Sequence, residues 1–146
     1  MQSVLVAMTL CLVCGADGDG DAAKKELAEL GGEWSLVSGE RDGQALPAAL
    51  VEGATRVTKG DETTVMVGGQ LFMKATFTID PTKKPKTIDY TITDGPNKGK
   101  KQLGIYARDG DTVTFCFALP GKDRPTDLTA KADSGRTLSA WKRDKK

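Results

Sequence analysis

The stretch LFMKATFTIDPTKKPKTIDYTITDGPNKGKKQLGIYARDGDTVTFCFAL, residues 71–119, decides the fold. Its apolar side chains recur at every second position. Leu71, Met73, Ala75, Phe77 and Ile79 alternate with Phe72, Lys74, Thr76 and Thr78. Ile88, Tyr90 and Ile92 alternate with Thr87, Asp89, Thr91 and Thr93, and Val113, Phe115, Phe117 and Leu119 with Thr112, Thr114, Cys116 and Ala118. A period of two belongs to the β-strand, whose successive side chains leave on opposite faces. Each run therefore has one apolar face and one face built largely of threonine, as in an antiparallel sheet with a buried and a wet side. Asp80-Pro81, Asp94-Gly95-Pro96 and Asp109-Gly110 separate the runs and supply the fixed or positive φ of tight turns.

Outward from this stretch the same period continues, punctuated by Lys59-Gly60-Asp61, Gly68-Gly69, Pro120-Gly121 and Ser134-Gly135. Strands are expected over residues 34–39, 55–59, 63–67, 71–79, 87–93, 102–107, 112–119, 126–130 and 136–143. No crossover helix fits between them, which excludes a parallel sheet. An odd number of antiparallel strands cannot close first against last, and 126–130 is the weakest segment, expected to be irregular or an edge. The remainder makes an all-β fold, an antiparallel meander closed into a barrel of about eight strands. One short N-terminal helix is expected over residues 22–30, where Leu27 and Leu30 lie three apart among Lys24, Lys25, Glu26 and Glu29 and Gly31-Gly32 ends the run.

The chain of 146 residues has room for one domain. Its 21 Lys and Arg stand against 20 Asp and Glu, a net charge of +1 that gives no long-range field to gather nucleic acid. There is no His, which removes the usual general base near neutral pH and the commonest transition-metal ligand. Residues 1–16, MQSVLVAMTLCLVCGA, carry no charged side chain. The apolar run 4–13 is too short to span a bilayer as a helix but suits the core of a secretory signal peptide, with cleavage after Ala16. An uncleaved amino-terminal anchor and a lipoprotein attached through Cys14 are the alternatives. The expected organisation is a signal peptide at 1–16, a linker at 17–23 and a β-barrel domain at 24–146, exported to the periplasm, the cell envelope or the medium, with no membrane span after cleavage. Cys116 would then be the one cysteine of the mature chain, inside an apolar strand and read as a small core residue.

Gly32-Glu33-Trp34 opens the first strand and Trp141-Lys142-Arg143 closes the last. This resembles the lipocalin pattern, in which a G-x-W opens the barrel and a late basic residue packs on that tryptophan. The resemblance implies Trp34 and Arg143 as a structural floor pair, a cation over an indole face. The second lipocalin motif and its disulfides are missing. Over residues 27–145 the strings GEWSLVSGERDGQALP, TIDPTKKPKTIDYTITDGPNKGKKQLGIYARDGDTVTFCFALPGKDRPTDL and GRTLSAWKR look like an uncharacterised lipocalin-like small-domain family of planctomycete bacteria. That resemblance implies the barrel and frequent export, and transfers no functional residue.

Several chemistries are absent. The acids of residues 17–21, DGDGD, begin a calcium-loop pattern that fails at Ala22 and Ala28. Residues 95–101, GPNKGKK, are one residue short of a phosphate loop and end in Lys101 where a magnesium-binding hydroxyl belongs. The serines have no base to activate them, and the acids fall in turns and on wet faces, so no catalytic residue, metal or cofactor is expected and the chain is not expected to be an enzyme. What remains is a binding module, expected as a monomer. Phe77, Tyr90, Phe115 and Phe117 would line a cavity, and Arg41, Lys98, Lys100, Lys122 and Arg124 a basic rim, together accepting a small apolar or amphiphilic ligand with an anionic head. The alternative is a cell-envelope structural or protein-interaction module with a packed core; a cavity of about 300 Å³ separates the two.

Overall fold

The computed structural model describes residues 18–144. The segment read as a signal peptide lies outside the described residues. Helix α1 (Gly18–Leu30) leads into β1 (Gly32–Arg41), a two-residue strand β2 (Gln44–Ala45) and a short helix α2 (Ala48–Gly53). Seven strands follow: β3 (Ala54–Lys59), β4 (Glu62–Val67), β5 (Gln70–Asp80), β6 (Lys86–Asp94), β7 (Lys101–Asp109), β8 (Thr112–Phe117) and β9 (Thr137–Arg143). Each pairs antiparallel with its neighbour, and β1 pairs antiparallel with β9 from Trp34↔Arg143 to Arg41↔Thr137. With β2 only an appendage on β1, eight strands close the ring. Segment 126–130 is not a strand.

The helix starts earlier than the sequence suggests and occupies most of the stretch expected as linker. Asp21 falls in its first turns, where the helix dipole favours negative charge and offsets part of the propensity cost of glycine at position 20. At its other end α1 closes the floor of the barrel. Leu30 is buried, and Leu27 packs against the same core. Trp34 Nε1 donates to the Leu30 carbonyl at 3.0 Å, while Arg143 donates to the carbonyls of Gly31 and Glu29, all groups that the end of a helix leaves without intrahelical partners. The Arg143 guanidinium lies 4.2 Å from the Trp34 ring centre. Glu26, itself buried, ties the helix to Lys86 at 3.1 Å and Arg108 at 3.7 Å. Glycine is required at position 32, where φ is +119° and a Cβ would stand 2.9 Å from Arg143 Nη1.

Inside, the lower half of the ring is filled. Phe77, Ile88, Val113 and Phe115 enclose a void of only about 10 Å³. Outside, the wall is not uniformly wet. After β8 the chain leaves the ring at Phe117, so Leu119 is 47% exposed rather than continuing the inward series. Residues 118–136 then cross the outer face of β6, β7 and β8 as a strap, beneath which Ile105 and Cys116 are fully buried. Cys116 Sγ donates to the Thr129 carbonyl at 3.4 Å, and Arg124 pins the strap to Asp89 at 2.6 Å and to the Gly104 carbonyl at 2.8 Å.

Candidate functional site

At the end opposite α1 the barrel opens on a cavity of about 310 Å³. Leu36, Ala54, Val65, Ile92 and Phe117 form its wall, and Leu46, Pro47 and Leu50 of the β1–β3 connection form one lip. A bulge makes the opposite lip. β5 pairs Met73 with Val65 but Leu71 with Met66, which leaves Phe72 as the extra residue. Strict alternation would have sent Phe72 to the outer face; the bulge brings Phe72 and Met73 together to the mouth. A second irregularity, in the pairing with β6 between Lys74 and Ala75, leaves Thr93 of β6 as the extra residue, while Met73, Ala75 and Phe77 keep one inward phase along β5.

Deep in the cavity lies Arg56, 5% exposed. It comes from β3, whose Ala54, Arg56 and Thr58 are the buried positions while Val57 faces outward. Arg56 Nη1 donates to Tyr90 Oη at 2.5 Å and to Thr63 Oγ1 at 3.2 Å. Its guanidinium carbon lies 4.5 Å from the Trp141 ring centre and 4.8 Å from that of Phe115. Nε is buried with no hydrogen-bond partner, and among the described residues no carboxylate pairs with this cation. The aromatic faces compensate part of its desolvation, each by about 0.5–2 kcal/mol, against a cost of several kcal/mol for taking a charge out of water.

Around Arg56 the hydroxyls are arranged with protons to spare. Tyr90 Oη accepts from Arg56, and Ser139 Oγ accepts from Trp141 Nε1 at 2.9 Å, so each keeps its own proton to donate elsewhere. At the mouth Arg41 lines the cavity and its Nε donates to Thr137 Oγ1 at 3.3 Å. Among the described residues the lining thus holds two arginines and not one acidic residue.

The residues singled out from sequence divide between two levels and two faces. Tyr90 and Phe117 line the cavity, with ring centres 4.3 Å apart. Phe77 and Phe115 belong to the packed floor beneath. Of the expected basic rim, Arg41 is at the mouth. Lys98 and Lys100 are exposed on the β6–β7 loop, whose Pro96 and Asn97 reach the opening instead. Lys122 and Arg124 are not part of the rim: both travel with the strap on the outside of the barrel, because the chain leaves the ring after Phe117. Sequence reasoning missed Arg56, Phe72 and Trp141.

A larger hollow of about 690 Å³ lies outside, between the β5–β6 turn and the strap. It is an open groove in which Lys83, Lys84 and Arg124 mix with Asp80 and Asp89. The displaced ionisations lie away from the cavity. The Thr82 hydroxyl holds the Asp80 carboxyl below its ordinary value, and that of Thr129 does the same for Asp127. Burial pushes the Cys116 thiol up, and burial with Glu26 alongside does so for the Tyr106 phenol.

Comparison with protein-family models, curated proteins and solved structures finds no match to this chain.

Proposed function

We propose that this protein is an exported binding domain that encloses one small, largely apolar molecule in the open half of its barrel. The observation that carries this reading is the cavity of about 310 Å³, walled by aliphatic and aromatic side chains and entered from one end. Ligand sites begin at about this size, and a predominantly apolar wall with a few convergent polar groups is their usual composition. A module acting only through its outer surface has no need of such a space, and a fully packed interior would be the more stable arrangement for it. The lipocalin-like outline agrees with this use. Export rests on the composition of residues 1–16.

Dye-displacement titration with straight-chain fatty acids tests the reading. Saturable displacement at one equivalent per chain is expected. Displacement that stays linear in ligand, with no saturation into the millimolar range, would contradict it and favour an interaction module.

A further inference from the structure

We propose that the ligand enters anion first: a carboxylate is held at Arg56 in the depth of the cavity, and the apolar remainder points to the mouth. This rests on the binding reading above and adds to it the ligand's chemical class and its orientation.

Three observations converge on it. Among the described residues the cavity lining has two cations and no anion. Of those cations, Arg56 is the buried one, while Arg41 is exposed at the opening, where water screens it. Arg56 also has unused donor capacity, since Nε is buried and unpartnered and the hydroxyls of Tyr90 and Ser139 retain protons to give. A guanidinium is a planar fork of donors, and a carboxylate is the planar acceptor that matches it with two parallel bonds. The same cation repels an ammonium head and leaves a neutral head unable to cancel its charge.

The geometry above Arg56 sets the rest of the ligand. Val65, Ile92 and Phe117 form an apolar shaft that ends between Leu50 and Phe72 at the lips. At the roughly 30 Å³ that a water-sized group occupies, 310 Å³ holds about ten non-hydrogen atoms, the size of octanoate. An aliphatic monocarboxylate of that length fills the space, and longer tails extend through the mouth without further gain.

Octanoate and 1-octanol differ at the head group alone, so calorimetric titration of both separates this proposal from the reading it rests on. Wild-type protein is expected to bind octanoate at least about tenfold more tightly than octanol, the scale of a charge-assisted contact. Arg56→Met is expected to reduce that preference to about threefold or less, and Lys122→Met, which removes a cation outside the barrel, to preserve both the preference and the octanol affinity. Orientation is read on the wild type, with no variant needed. The carboxyl carbon resonance of bound [1-13C]octanoate should keep its ionised position through the pH range in which free octanoic acid titrates. Equal binding of acid and alcohol, a preference that survives Arg56→Met, or a bound carboxyl that titrates like the free acid would each overturn the anion-first assignment while leaving the cavity reading standing. Failure of both ligands to bind overturns both.

Discussion

Arg143 serves the floor of the barrel in three ways. It covers the Trp34 ring, accounts for two carbonyls at the end of α1 and pairs with Asp111 at 3.2 Å. The cation over indole contributes about 0.5–2 kcal/mol, whereas the partly exposed pair with Asp111 adds little. Arg143→Met is therefore expected to cost about 1–3 kcal/mol in urea unfolding; a loss below a few tenths would show that Trp34 alone carries the floor. Gly104 backs the Phe117 ring that lines the cavity. A Cβ there would meet Phe117 ring carbons at 2.5 and 2.6 Å. Gly104→Ala should cost about 1–3 kcal/mol by overpacking and weaken ligand binding by driving the Phe117 ring into the cavity. Unchanged unfolding and binding would mean that the ring has room to turn away. Trp34 and Arg143 were legible because a G-x-W and a late basic residue form a recognisable pair. Arg56 was not, because β3 offers no clear alternation: Thr55, Val57, Lys59 is as good an inward face on paper as Ala54, Arg56, Thr58. Its neighbours chose the phase, through Trp34↔Arg56 and Arg56↔Val65, which only tertiary pairing reveals.

At the scale of elements, long apolar alternations wrote β5, β6 and β8 into the sequence, whereas irregular segments placed the site. The bulge that brings Phe72 to the mouth changes the phase of one strand without any turn residue to announce it. The strap carries Pro120, Gly121 and Pro125 and contains 126–130, expected as the weakest strand, but nothing local says that residues 118–136 pass outside the barrel rather than over its mouth. Its attachment is testable through Cys116, which is completely buried beneath it. Arg124→Ala removes the pin to Asp89 and to the Gly104 carbonyl. Local opening of the strap should then become more frequent, and the reaction of Cys116 with a thiol reagent in native buffer should accelerate about tenfold or more. A rate equal to that of the wild type would mean that Pro125 and Ala130, both buried, hold the strap without help.

For the whole molecule, the absence of His leaves no side chain with an ordinary value between the carboxylates and the thiol. Cys116 and Tyr106 are both raised on folding, so the folded state keeps protons that the unfolded state releases. Stability is then complete below the ordinary thiol value of 9.0 and declines as pH rises beyond it. Melting temperature should be level from about pH 5 to 8.5 and fall above about 9, with Cys116→Ala removing the first part of the decline. A level profile through pH 11 would contradict the burial of both groups. On the acid side half-buried Asp80 and exposed Asp127 are lowered, so stability is lost only as pH drops below their ordinary 3.8, along a shallow slope. On the proposed function the working surface of this barrel is its inside. Amide chemical-shift mapping during an octanoate titration tests that most directly. Saturating shifts are expected at Arg56, Val65, Tyr90, Phe117 and Trp141, with the strap and the groove by Lys83 and Lys84 unmoved. Shifts confined to that outer groove, or none anywhere, would contradict the account.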